Sequence, residues 1–303
     1  MKKRFTGHLR FLLALAGKLV AALLFLCLVM GSCAGESAGE SASQPLFPLQ
    51  PLCFEGEADH WYFDDHLAVS IQKRVTRKLV YFVCDVQTTE PGALRTALSH
   101  DRAYGNLEQV SVMAARHGAI LAFNGDDYGH SESVNFGVII RDGAIIRARD
   151  TSRHMLVLEP NGDLRVIADR GRQNAAAIAS ALIEAGVRQT WEFGPELIRE
   201  GEAVSLNTKF NLISVRNDRL EPRTAIGQVG PLHYVVIVVD GRRKGYSDGI
   251  SLPGLQKLML EAGAQTAFNL DGGGSTTLVF RGKVLNRPSG GKERPVSDIL
   301  YFQ

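Results

Sequence analysis

Metal-binding spacing, catalytic-serine motifs and excess charge are all missing from this 303-residue chain. Its four cysteines and eight histidines fall in no Cys/His spacing of a zinc site. No Gly-x-Ser-x-Gly elbow occurs, which leaves a serine-hydrolase reading with little support. Its triglycine run is followed by no lysine, which excludes a Walker loop. Charge is close to balanced, 34 − 32 = +2, but the first 34 residues hold five Lys/Arg and no Asp or Glu. Without them the balance is 29 − 32 = −3. The basicity therefore belongs to one end, and a nucleic-acid partner lacks electrostatic support.

Long apolar runs are scarce as well. Leu19 to Met30 gives 12 uninterrupted residues, the length of a signal-peptide core and short for a spanning helix. Counted from Phe11 across Lys18 the run reaches 20, enough to span a bilayer with Lys18 at the interface. Met30-Gly31-Ser32-Cys33 resembles an imperfect lipobox. Residues 1–34 are thus expected to be a signal peptide or membrane anchor, and the product to be exported. It is then membrane-anchored or a lipoprotein at the cell surface, or else secreted. Residues 35–58 are rich in Gly, Ser, Ala and Glu near their start and read as a flexible linker. No further linker interrupts residues 59–303, which predicts one domain. Cys27 and Cys33 belong to the targeting region; Cys53 and Cys84 form either a disulfide or two buried thiols.

Strand signals dominate that domain. Leu67 to Val75 and Lys78 to Val86 form one predicted pair. Hairpins are predicted around Asp142-Gly143, Asn161-Gly162 and Arg281-Gly282. Further strands are expected at Thr224 to Ile226, His233 to Val239 and Val296 to Phe302. Three helices are expected: one capped by Asn106 and ended at Gly118, one over Asn174 to Ala185, and one capped by Ser251 with Pro253 in its first turn. The pattern predicts an α+β fold of mixed, largely antiparallel sheets with a few packed helices, including some parallel pairing through helix-strand units.

One nine-residue pattern, Gly-Ala-x-x-Ala-Phe-Asn-x-Asp, occurs twice. It runs from Gly118 to Asp126 and again from Gly263 to Asp271. Each copy delivers an Asn-x-Asp to the end of a buried strand, and two such tips meeting in one polar pocket would build a site. A chance echo of strand and turn residues is the alternative. After the second tip come Gly272, Gly273, Gly274, Ser275 and Thr276. Consecutive glycines are tolerated where backbone approaches a ligand closely, and their amides suit an anion, with two hydroxyls beside them. A plain glycine turn is the competing account. After the first tip, Asn124-Gly125-Asp126-Asp127 sets adjacent carboxylates where an apolar core would exclude them; a bare turn or calcium loop also fits. Arg223 and Arg294 each open a β run, as phosphate grips or as surface charges. Asp240-Gly241-Arg242 is polar cargo at a strand end, or a simple turn.

Taken in order, FNGDDYG (123–129), FGVIIRDG (136–143), FGPELIREGE (193–202), RTAIG (223–227), VVDGR (238–242), SLPGLQKLMLEAGA (251–264), NLDGGGST (269–276) and NRPSGGKERPVSDIL (286–300) resemble the phosphodiester glycosidase family. NLDGGGS is the most specific of these. One departure stands at Asp127, where bacterial members of the exopolysaccharide type usually carry an aromatic residue. The resemblance implies a glycosidase domain over residues 59–303 that hydrolyses a sugar-1-phosphodiester, with a phosphorylated glycan as partner and no cofactor. Its leaving group would be a phosphate monoester, so fixed donors matter more than a strong general acid. Arg223, Arg294 and the amides of Gly272 to Gly274 are expected to meet the phosphate. Asp271 or Asp126 is expected to act as base or nucleophile, and Asn124 and Asn269 to orient sugar hydroxyls. Gly125, Asp127, Asp240, Arg242, Ser275 and Thr276 complete the expected binding set. Two other readings compete. One is a metal-dependent phosphodiesterase with a divalent cation such as calcium on Asp126, Asp127 and Asp271. The other is a non-catalytic glycan-binding module at the cell surface.

Overall fold

The computed structural model describes residues 58–126, 137–151, 153–168, 174–206 and 218–303. The apolar N-terminal run, Cys53, Asp127 and Tyr128 lie outside them. Among the described residues no helix is long and apolar enough to cross a membrane.

Continuous apolar runs take the centre of the fold. Strand β14 (His233–Val239) is buried along nearly its whole length. It lies between β3 (Val80–Thr88) and β13 (Arg223–Gly230) in an eight-stranded sheet. β2 (Leu67–Val75) and β1 (His60–Phe63) continue the sheet beyond β3. β15 (Thr266–Asn269), β11 (Glu196–Arg199) and β12 (Glu202–Ala203) continue it beyond β13. Alternate residues of β14 enter different cores: Tyr234, Val236 and Val238 one, Val235, Ile237 and Val239 the other. That division is why its sequence shows no polar face.

A five-stranded sheet supplies the opposite wall of the first core. Its order is β17 (Lys283–Val284), β16 (Leu278–Phe280), β5 (Leu121–Asn124), β18 (Asp298–Phe302), β4 (Leu94–Leu98). Leu121, Phe123, Leu278, Phe280, Leu300 and Phe302 pack from it against the large sheet. Helix α1 (Val110–Arg116) covers its outer face through Val110, Met113 and Ala114. Helix α3 (Leu252–Glu261) covers the outer face of the large sheet through Leu252, Leu255 and Met259. A smaller cluster packs helix α2 (Ala175–Glu184) on β6 (Gly137–Arg141) and β8 (Met155–Leu158). There β6 pairs with β7 (Ala144–Arg149), and β8 lies between β10 (Gln189–Trp191) and β9 (Leu164–Ile167).

This is the expected α+β class, with one correction. Every pairing recorded between described strands is antiparallel. The two helix-strand units enter different sheets, so their strands never become neighbours. The first helix also starts later than Asn106. Gln109 is its N-cap and makes no side-chain cap bond. A bridge pairs Glu108 with Val296, N–H to carbonyl at 3.1 and 2.8 Å, and holds that stretch extended. Asn174 and Ser251 do cap α2 and α3, accepting from amides of their first turns. Cys84 is a free, fully buried thiol whose pKa burial pushes up.

Candidate active site

The nine-residue repeat has a position-by-position cause. Gly118 and Gly263 end α1 and α3 with positive φ, +62° and +81°. The next amides, of Ala119 and Ala264, close on Ala114 and Met259 carbonyls at 2.9 and 3.1 Å. Ala122 and Ala267 face the helix-covered outer cores, where a small side chain fits. Phe123 and Phe268 both enter the core between the sheets. Each Asn then stands as the last residue of its strand, β5 or β15.

The tips join. The Asp271 amide donates to the Gly125 carbonyl at 3.2 Å. The Asn124 side-chain amide donates to the Asp271 carbonyl at 2.6 Å. Its oxygen accepts from the Thr224 hydroxyl at 2.8 Å and the Thr277 amide at 3.2 Å. Asn124 therefore clamps both tips and β13 together. Asn269 donates to the Gly194 carbonyl at 2.7 Å, while its buried Oδ1 has no hydrogen-bond partner among the described residues. Asp126 Oδ1, Thr276 Oγ1 and Thr277 Oγ1 share that condition. Such atoms concentrate here at the expense of stability.

Asp271 is reachable, its side chain 15% exposed. Oδ1 accepts from the Gly272 amide at 2.7 Å and Oδ2 from Arg294 at 3.3 Å. Arg294 also holds the Ser275 hydroxyl, with Nε at 3.1 Å. Each glycine of the run admits a neighbour. A Cβ on Gly272 would stand 2.6 Å from the Pro222 carbonyl, on Gly273 3.2 Å from Arg242 Nη2, and on Gly274 3.2 Å from Arg294 Nη1. The run is thus a short 3-10 turn flanked by two guanidinium groups. Its amides are largely committed: Gly273 donates to Pro222 at 2.9 Å and Ser275 to Gly272 at 3.1 Å. The expected cradle of three free amides is therefore not formed; Arg242 and Arg294 supply the positive charge instead.

Arg223 is placed differently from the expectation. It is 4% exposed, donating to the carbonyls of Ile250 and Arg219 at 3.3 Å each. Burial lowers its pKa to about 10, against the opposing pull of Glu221. It stands in the wall behind the turn, while Arg242, ion-paired to Glu221, stands beside it. Asp240 is buried as well. It accepts from Tyr246 at 2.9 Å, from the Asn286 side chain at 3.0 Å and from the Arg287 amide at 3.0 and 3.1 Å. Burial raises its pKa. Its role is to fasten the 286–287 segment to the strand end.

Behind Asp126 lies a charge cluster that sequence reading missed. Asp126 is 3% exposed and accepts from the Glu192 amide at 2.7 Å. Its own amide donates to Asp298 Oδ1 at 2.8 Å. Fully buried Asp298 is ion-paired with Arg141, whose Nε lies 3.0 Å from Oδ2. Arg141 itself stacks 5.5 Å over Trp191. Glu192 is fully buried too, accepting from the Val138 amide at 2.7 Å. Burial pushes the Asp298 carboxyl up to about 6, Arg141 pulling it down and Asp126 pushing it further up. The available signal was an acidic residue directly beside large apolar ones, Asp298-Ile-Leu-Tyr-Phe and Trp-Glu192-Phe. Asp127 lies outside the described residues. Among those described, no three His, Cys, Asp or Glu side chains group to hold a metal ion. A cavity of about 600 Å³ lined by Ser99, His100, Arg102, Tyr104 and Arg116 shares no residue with this cluster.

Residues 117–303 match the family model described as phosphodiester glycosidase. Among curated proteins, the SPbeta prophage-derived uncharacterized protein YomE of Bacillus subtilis is 32% identical over 200 residues. The match covers 64% of this chain and spans only 29% of that protein. Among solved structures, the catalytic domain of zebrafish N-acetylglucosamine-1-phosphodiester alpha-N-acetylglucosaminidase, auto-inhibited by its pro-peptide, superposes with a TM-score of 0.63 at 21% identity. That match covers 79% of this chain and 84% of the zebrafish chain. A hypothetical protein from Synechocystis gives 0.61 at 15% identity, over 78% and 62% of the two chains. At these identities the structural matches speak for the fold.

Proposed function

Since the chain belongs to the phosphodiester glycosidase family, we propose that it is an extracytoplasmic hydrolase cleaving the glycosidic bond of a sugar-1-phosphodiester on a glycan. The observation that carries this reading is the junction of the two Asn-x-Asp tips beside the paired guanidinium groups of Arg242 and Arg294. The name of the zebrafish relative puts its scissile bond at a sugar-1-phosphodiester, and the charges here suit that class of substrate. The phosphate sits against Arg242 and Arg294, which neutralise charge as it departs. Asp271, partly exposed and held by Gly272 and Arg294, is the carboxylate at the anomeric carbon. Asn124 and Asn269 fix the tips around the sugar, and Asp126 stands behind them.

The bond between the anomeric carbon and the phosphate oxygen breaks, and its electron pair leaves with the phosphate monoester. A water oxygen ends on the sugar carbon as its new hydroxyl, keeping one proton, and the other proton passes by way of the carboxylate to phosphate or solvent. The departing phosphate, with a second pKa near ~6, needs little protonation to leave.

The test is hydrolysis by the purified protein of a panel of sugar-1-phosphodiesters in ¹⁸O-water, read on the phosphate product, whose oxygens do not exchange. Unlabelled phosphate is the expected result. Labelled phosphate would move the attack to phosphorus and overturn the reading, as would the absence of product across the panel.

A further inference from the structure

We propose that the loops around the triglycine turn form a docking surface for a glycan polymer bearing phosphates along its length, gripped at phosphates beyond the one at the reacting bond. The inference rests on the functional reading above, which it extends from a bond to a polymer.

Three loops meet at this surface. The turn at Gly273 and Gly274 touches Arg242 on one side and Arg294 on the other. The 242–247 loop and the 286–294 loop are tied directly to each other: Arg243 donates to the Pro288 carbonyl at 3.3 Å, and Arg287 stacks 4.6 Å over Tyr246. Arg242 and Arg294 each have a carboxylate, Glu221 and Asp271. Four further cations of these two loops, Arg243, Lys244, Arg287 and Lys292, have no ion-pair partner among the described residues, and both lysines are exposed. The one acidic residue inside the outer loop, Glu293, is turned to Ser111, accepting from its amide at 2.9 Å and its hydroxyl at 2.6 Å.

Background charge does not explain this grouping, because the chain past residue 34 is net acidic, 29 − 32 = −3. Solvated surface charge does not explain it either. Two of the four guanidinium or ammonium groups are held, one by a carbonyl and one by a ring, and Asp240 fastens the Arg287 amide. Held arginines lose little freedom when they meet phosphate. A single diester occupies Arg242 and Arg294; further cations at fixed places suit further phosphates.

The test uses the full-length protein and an Arg243→Ala, Lys244→Ala, Lys292→Ala triple variant. Binding of purified teichoic acid, a polymer with phosphodiester repeats, is measured between 50 and 200 mM salt, roughly the range over which multi-phosphate contacts weaken by tenfold or more. The triple variant is expected to bind the polymer at least tenfold more weakly and to turn over a methyl sugar-1-phosphodiester unchanged. Unaltered polymer affinity in the variant would overturn the inference. Equal affinity of the native protein for hyaluronate or for single-stranded DNA of matched charge would do the same. Polymer binding is read without turnover, so lack of hydrolysis on any small diester defeats the functional reading while this surface is still judged on its own.

Discussion

The side chain of Asn124 reaches across 147 positions of sequence to donate to the Asp271 carbonyl at 2.6 Å. One residue thereby links the end of a central strand of one sheet to a loop leaving another, with Thr224 and Thr277 as its other partners. Asn124→Ala strands a buried hydroxyl, an amide and a carbonyl at once. A loss of about 2–4 kcal/mol of stability is expected, in line with unsatisfied buried groups, with turnover falling alongside. Urea unfolding of the variant decides it; a midpoint equal to the native one would mean the clamp carries no weight.

Asp271→Asn keeps the size of the side chain and its contact with the Gly272 amide. It removes the negative charge facing Arg294. If Asp271 is the carboxylate at the anomeric carbon, turnover of a sugar-1-phosphodiester falls by roughly 10²-fold or more, while the melting temperature changes little. Full turnover in the variant would remove Asp271 from the chemistry.

Asp298 gives stability a pH dependence of defined sign. Its carboxyl, ordinarily at 3.8, is raised by burial to about 6 in the folded protein. The folded state therefore holds the proton more tightly than the unfolded one. The stabilisation from that proton is complete below pH 3.8 and is lost as pH rises through about 6. Asp298→Asn has no such proton. The stability of native protein relative to variant should therefore drop by about 3 kcal/mol between pH 3.8 and 7. Paired denaturation curves across that range check it, and a constant difference would contradict the assignment.

Asn174 provides a control remote from the site. Its side chain accepts from the Ala176 and Ala177 amides at 2.8 and 3.3 Å. Asn174→Ala should cost about 1 kcal/mol and leave kcat and KM alone. Thermal melts with parallel kinetics test both halves of that expectation.

Local chemistry was what the sequence made legible. Asp-Gly and Asn-Gly turns, the Asn174 and Ser251 caps and the glycines closing α1 and α3 all act within a few residues, so each left its mark. The repeated Asn-x-Asp tips were legible too, and they do meet. What stayed hidden depends on distant partners. Arg141 and Asp298 are 157 positions apart, and only folding makes them a pair. Arg223 reads in sequence as a cation opening a β run, and Arg242 as part of the polar cargo at a strand end. Pairing of Arg223 with Val239 draws it inside, while Arg242, three residues past Val239, turns out beside Gly273. β4, β10, β11 and β12 escaped notice because strands of two to five residues are too short to show a period.

Strand β18 lies between β5 and β4, not at an edge, and Asp298 at its start receives the Asp126 amide. During synthesis, β4 and β5 must therefore wait for almost 180 further residues before the filament that joins them is made. Until residues 298–302 arrive, the small sheet is split and the Asp126 amide lacks its Asp298 acceptor. A chain made only as far as residue 297 would accordingly keep the small sheet open between β4 and β5.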